Sequence, residues 1–154
     1  EGKAVAQITI GDPMLYSTSA YLLPLVLERL PEDYVHIVPG ISAFQAAASI
    51  FLQPLTIQND RFMLMPATDL NDVERALAQC ETLVLYKCAN VIDQLVKLLK
   101  KHGLINRAKM VCYAEQPDRQ VVYRSIADLS KDNFGYMATV LIYIGRRSWN
   151  HEKD

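Results

Sequence analysis

An α/β fold built as two successive units is what this sequence predicts, and three observations predict it. Short apolar runs alternate along the chain with longer segments whose apolar residues recur every three to four positions. The first run, Ala4 to Ile10, is close to continuously apolar, the pattern of a parallel strand covered on both faces. Two early runs then stop at Gly/Pro loops that open onto helices, Ile8-Thr9-Ile10-Gly11-Asp12-Pro13 and Ile37-Val38-Pro39-Gly40-Ile41-Ser42. Loops at strand ends are where an open α/β sheet builds its ligand crevice, so two of them in succession imply a small-molecule site.

Taken in order, Ala4 to Ile10 is a strand and Tyr16 to Leu30 a helix, with Leu22, Leu23, Val26, Leu27 and Leu30 on one stripe. Pro24 lies within that helix and is expected to kink it or to start its regular part, because it donates no backbone bond. Tyr34 to Val38 is a second strand. Ser42 caps a second helix, Ser42 to Leu52, whose Ala43, Ala46, Ala47 and Ala48 permit close packing on a sheet. Arg61 to Pro66 is a strand, and Asp69 caps a helix from Leu70 to Cys80. Thr82 to Tyr86 is a buried strand, followed by a helix capped by Asn90 that runs through His102 and stops at Gly103. Lys109 to Ala114 and Gln120 to Arg124 are strands joined by a polar loop, Ser125 to Leu129 a helical turn, and Met137 to Ile144 the closing strand.

These elements divide into a βαβα segment, residues 1–58, and a second α/β unit, 59–147, with no Gly/Ser linker between them and a polar tail at 148–154. Two strands and two helices make a poor doubly wound sheet, and the chain begins almost on a strand, so an N-terminal part of the first unit is expected to be missing.

Composition narrows the function. The chain has 154 residues, is 51% hydrophobic and 21% charged, and carries a net charge of -1 from 16 basic and 17 acidic residues. That balance gives no electrostatic case for nucleic acid. The basic clusters, Lys97-Lys100-Lys101 and Arg146-Arg147, read as solvated surface. No apolar stretch approaches the roughly 20 residues of a membrane helix and no leader pattern opens the chain, so a soluble, cytoplasmic protein is expected. Cys80, Cys88 and Cys112 fit neither a disulfide framework nor a metal site and read as buried thiols. His36, His102 and His151 are dispersed, and no protein-bound metal is expected.

Within the two loops, Gly11 lets backbone approach a ligand, Asp12 supplies a carboxylate at a strand end and Pro13 fixes the turn. An Asp-Pro turn in which Asp12 caps the following helix is the plainer alternative. Ser42 has a capping role and a ligand-binding role open to it at once. Lys87 is either solvent-facing or a partner for a substrate carboxylate, and Tyr21 either helical core or substrate contact.

The loop Gly11-Asp12-Pro13-Met14-Leu15-Tyr16-Ser17-Thr18, the loop Val38-Pro39-Gly40-Ile41-Ser42-Ala43-Phe44, the step Gln53-Pro54-Leu55, the strand end Leu85-Tyr86-Lys87 and the pair Ala114-Glu115 resemble the tetrapyrrole (corrin/porphyrin) methylases. The resemblance runs in order from about Gly2 to Tyr143. Within the family, Asp-Pro-x-x-Tyr-Ser-Thr, with Tyr21 following, is most similar to members that methylate C(20) of precorrin-2. The resemblance implies two α/β units flanking a cleft, the first one truncated here, because nothing matches the Gly-x-Gly-Pro-Gly-type loop with which members open. It implies S-adenosyl-L-methionine as methyl donor, a tetrapyrrole substrate of cobalamin biosynthesis, and a homodimer. Donor contacts carried over are Ile10, Gly11, Asp12, Leu15, Ser42, Ala43, Tyr86, Lys87, Ala114, Met137, Ala138 and Thr139. Tyr16, Ser17, Thr18 and Tyr21 fall on the substrate side. No catalytic residue is singled out, since Glu115 and Tyr16 are both placed to be considered as proton acceptors. A different acceptor within the family, or an adenosine-binding module without catalysis, are the other readings.

Overall fold

Apolar residues at successive positions of the central strands present one row of side chains to each face of a sheet. The structure, a computed structural model describing residues 2–127, 129 and 136–145, builds that sheet from five strands. They are β1 (Phe62–Pro66), β2 (Thr82–Tyr86), β3 (Ala108–Cys112), β4 (Val121–Tyr123) and β5 (Ala138–Tyr143), in spatial order β1-β2-β5-β3-β4. β1 and β2 are parallel, with Leu64 beside Val84. β5 runs antiparallel between β2 and β3, its Val140 facing Leu85 on one side and Met110 on the other. β4 closes the edge antiparallel to β3.

Helices cover both faces. Leu83, Leu85, Met110, Val140 and Ile142 pack in one core with Val73 and Ala76 of α3 (Leu70–Ala76) and with Ile92, Leu95, Val96 and Leu99 of α4 (Ile92–Lys101). Val84, Val111, Leu141 and Tyr143, on the opposite face, pack with Ala47, Ala48 and Phe51 of α2 (Ala43–Phe51). Side chains tie α2 to this sheet. Lys109, on the same face as Val111, donates from Nζ to Gln53 Oε1 at 2.8 Å and lies 5.6 Å from the Phe51 ring centroid. The Tyr143 hydroxyl donates to the Gln53 carbonyl at 3.2 Å. Burial lowers the Lys109 ammonium below its ordinary value, with Arg124 adding to the effect.

The chain forms two compact units, one ending at Ala43 and one beginning at Phe44. In the second, every expected strand forms, within a residue or two of its expected limits. β3 ends at Cys112 rather than Ala114 because Tyr113 turns into the left-handed region, with φ of 51°. α3 is capped as expected, Asp69 Oδ1 accepting from the Asn71 amide at 2.8 Å, but it ends at Ala76, short of Cys80. Asn90 is not the cap of α4: residues Ala89–Val91 form a 3-10 turn, and the cap position falls to Val91, which makes no capping side-chain bond. Past Lys101 the chain reverses through Gly103 at φ 66°. The turn expected from Ser125 to Leu129 includes Asp128, which, like Arg146-Arg147 and the tail, lies outside the described residues.

The first unit departs further from expectation. Residues 4–10 form no strand, and Val5, Ile8 and Ile10 are exposed. Residues 34–38 form none either, Glu32–Tyr34 making a single 3-10 turn instead. A strand exists only against a ladder partner, and none of the described residues supplies one to either run. α1 spans Ser19–Leu27, shorter than Tyr16 to Leu30 but with Pro24 inside it as expected. Tyr16, at φ 51°, and the Ser17 Oγ, which accepts from the Ser19 amide at 3.1 Å, hold the preceding residues in a turn.

Candidate functional site

Since β2 and β3 both run antiparallel to β5, their carboxyl ends and its amino end fall on one edge of the sheet. Tyr86, Lys87, Ala114, Met137, Ala138 and Thr139, the second-unit residues carried over as donor contacts, are brought together there. The Tyr113 amide donates to the Met137 carbonyl at 2.9 Å, Cys112 stands opposite Ala138, and Val111 opposite Thr139. In open sheets of this kind the carboxyl edge is where ligands bind.

The backbone at this edge is unusual in a consistent way. Lys87 (φ 54°), Tyr113 (φ 51°) and Glu115 (φ 59°) all adopt the left-handed region without being glycine. Such residues cost of order 1–3 kcal/mol each and gather at ligand clamps, because the turn they force re-aims the adjoining peptide groups. The loop behind them is held in shape: Gln120 Oε1 accepts from the Glu115 amide at 2.8 Å, and the Arg119 guanidinium lies 3.8 Å from the Tyr113 ring centroid. The polar run from Glu115 to Gln120 signalled a loop, but nothing in it announced these two contacts.

Small and half-buried side chains line the same edge on the α2 face. Tyr86 and Ala114 pack against the Val84–Val111–Leu141 cluster, and Thr139 is buried. The Tyr86 hydroxyl accepts from the Phe44 amide at 3.2 Å, in the first turn of α2. Phe44, which the sequence reading passed over as a site residue, also stacks on Phe62 with centroids 5.3 Å apart. Behind the edge Cys88 Sγ lies 3.8 Å from the Ala138 carbonyl oxygen, and burial pushes its thiol up to about 12. All three cysteines are buried thiols outside any disulfide.

The first unit assembles its own constellation. Gly11 adopts φ 78°, and a Cβ placed on Gly40 would stand 2.1 Å from the Gly11 carbonyl oxygen, so the two loops meet backbone to backbone. Asp12 bridges them, Oδ1 accepting from the Met14 amide at 2.8 Å and Oδ2 from the Gly40 amide at 2.9 Å. It does not cap α1, which starts seven residues further on at Ser19. Leu15 follows in the same turn, while Ile10 is exposed. Ser42 is buried and Ala43 opens α2. Of the substrate-side residues, Ser17 is buried and bonded to Thr9 Oγ1 at 3.2 Å, Thr18 is the α1 cap position, and Tyr16 and Tyr21 are exposed.

An S-adenosyl donor is tested by what each set of residues offers on its own. At the sheet edge the small side chains of Ala114, Ala138 and Thr139 stand beside main-chain groups and the Tyr86 ring, a set that fits an adenosine; in the first unit the Gly11 and Gly40 turns expose backbone that fits a polar ligand group. Among the described residues no helix is long and apolar enough to cross a membrane.

Comparison with known proteins points the same way. The family model of the Tetrapyrrole (Corrin/Porphyrin) Methylases matches residues 1–130. The chain is 32% identical over 152 residues to a cobalt-precorrin-2 C(20)-methyltransferase of Salmonella typhimurium, a match covering 97% of this chain and 61% of that protein. It is 27% identical over 158 residues to a precorrin-4 C(11)-methyltransferase of Rhodococcus erythropolis, covering 94% of this chain and 62% of that one. Its fold matches a uroporphyrin-III C-methyltransferase from Thermus thermophilus solved in complex with S-adenyl homocysteine, with a TM-score of 0.58, 22% identity, and coverage of 86% of this chain and 62% of that one. The chain thus spans about three fifths of the length of the relatives it matches.

Proposed function

Because the chain belongs to the tetrapyrrole (corrin/porphyrin) methylases, we propose that it serves S-adenosyl-L-methionine-dependent methyl transfer to C(20) of precorrin-2 or cobalt-precorrin-2 in cobalamin biosynthesis. The observation that carries the reading is the convergence of Tyr86, Lys87, Ala114, Met137, Ala138 and Thr139 on one carboxyl edge of the sheet. The choice of acceptor is supported by the Salmonella typhimurium relative.

When bound, the donor supplies a methyl group on a sulfonium whose leaving group is a neutral sulfide. What the protein adds is alignment, and well-aligned intramolecular reactions gain roughly 7–11 kcal/mol in barrier from positioning. In this reading Ala114, Met137, Ala138 and Thr139 form the wall for the adenosine, with Tyr86 and Lys87 at its end. The turn Ile10-Gly11-Asp12-Leu15 and the pair Ser42-Ala43 take the amino-acid and ribose portion. Tyr16, Ser17, Thr18 and Tyr21 face the tetrapyrrole. The ring proton lost after methylation is left to Glu115 or Tyr16. The assembly is assigned as a homodimer and the location as the cytoplasm.

The second reading changes only the acceptor, and the precorrin-4 C(11) relative favours it. Incubation with precorrin-2 and methyl-labelled donor decides between them. Label at C(20) is expected; label accepted only by precorrin-4 moves the assignment to the second reading, and absence of donor binding by folded protein removes both.

A further inference from the structure

Asp12 was expected as a ligand contact, yet both of its carboxylate oxygens are engaged by main-chain amides. Oδ1 takes the Met14 amide at 2.8 Å, which closes the turn after Gly11. Oδ2 takes the Gly40 amide at 2.9 Å, across 28 residues of sequence. The contact it secures has no slack, since a methyl group on Gly40 would overlap the Gly11 carbonyl oxygen at 2.1 Å and the Gly11 carbonyl carbon at 2.9 Å. Gly11 itself sits at φ 78° with the Ile41 carbonyl oxygen 3.6 Å from the position of a Cβ. Neither loop has a strand ladder to hold it: residues 4–10 and 35–38 form no strand.

We propose that Asp12 is a positioning residue, a two-pronged clamp that sets the Gly11 turn against the Gly40 turn and so presents the backbone of both loops to the ligand. A carboxylate suits this work because an ionised acceptor makes stronger bonds to backbone N–H groups than a neutral one and has an oxygen for each of two donors. Asparagine keeps one accepting oxygen and places a donor where the second amide needs an acceptor. Alanine removes both. The consequence for binding rests on the donor reading given above; the clamp itself does not.

Amide hydrogen exchange of the ligand-free protein tests the clamp, and titration with S-adenosylhomocysteine tests its use. In Asp12→Ala, exchange at Gly40 and Met14 is expected to accelerate roughly ten-fold or more, with Asp12→Asn intermediate and the amides of β5 unchanged. Affinity is expected to fall in the same order. In a double-mutant cycle, Asp12→Ala and Gly40→Ala together are expected to weaken binding no more than the stronger of the two alone, because each disrupts the same loop contact. Unchanged exchange at Gly40 in Asp12→Ala overturns the clamp. Affinity losses that multiply in the double variant, or affinity indifferent to the Asp/Asn/Ala series while exchange responds, overturn the positioning role. Should the unmodified protein bind no S-adenosylhomocysteine, the donor reading fails and the exchange result alone decides for or against the clamp.

Discussion

Glu81 shows how one side chain organises the end of the sheet away from the candidate site. Its carboxylate accepts from the Arg61 amide at 2.6 Å and from the Arg61 guanidinium at 2.9 and 3.2 Å, and its main-chain carbonyl accepts from the Ile144 and Gly145 amides. The Arg61 side-chain and backbone bonds hold the Glu81 carboxyl down at about 2. A carboxylate depressed in the folded state adds stability above its unfolded value, roughly 4.3, and loses that contribution as pH falls toward about 2. Chemical denaturation followed between those limits is therefore expected to show stability falling with acid, with a shallower slope in Glu81→Gln; an identical slope in the variant contradicts the assignment. At the other edge, Tyr86→Phe leaves the Phe44 amide without its hydroxyl acceptor, which is expected to cost about 1 kcal/mol in denaturant unfolding.

At the scale of elements, what could be read from the chain depended on whether an element's cause was local. Asp69 before Leu70 is a local signal, and its side chain does cap α3. Asp69→Ala is expected to lower unfolding free energy by about 1 kcal/mol, measured by urea titration, whereas no change would mean that the cap bond carries nothing. The Asn90 reading went wrong for an equally local reason: a polar cap residue was legible, but the 3-10 turn that draws it in and passes the cap position to Val91 was not. Strands 4–10 and 34–38 were misread because apolar patterning reports a side chain's fitness for a sheet and says nothing of whether a partner strand is there to pair with. In the second unit the same patterning succeeded, since β1, β2, β3 and β5 bond one another in a single sheet.

At the scale of the whole molecule, the strand order was the part the sequence withheld. β5, the last of the described strands in sequence, inserts between β2 and β3. That insertion, a long-range choice with no local signature, is what carries Met137, Ala138 and Thr139 to the edge that holds Tyr86 and Ala114. Motif resemblance singled out the residues; the topology supplies the reason they lie together. The left-handed turns at Lys87, Tyr113 and Glu115 were likewise invisible beforehand, being imposed by the loops that leave the sheet. The proposal that the chain binds an S-adenosyl donor is put to the test by mapping amide chemical shifts during titration with S-adenosylhomocysteine. Saturable shifts are expected at Lys87, Ala114, Ala138 and Gly40. Saturation that leaves those four amides unmoved while others shift would contradict the proposal.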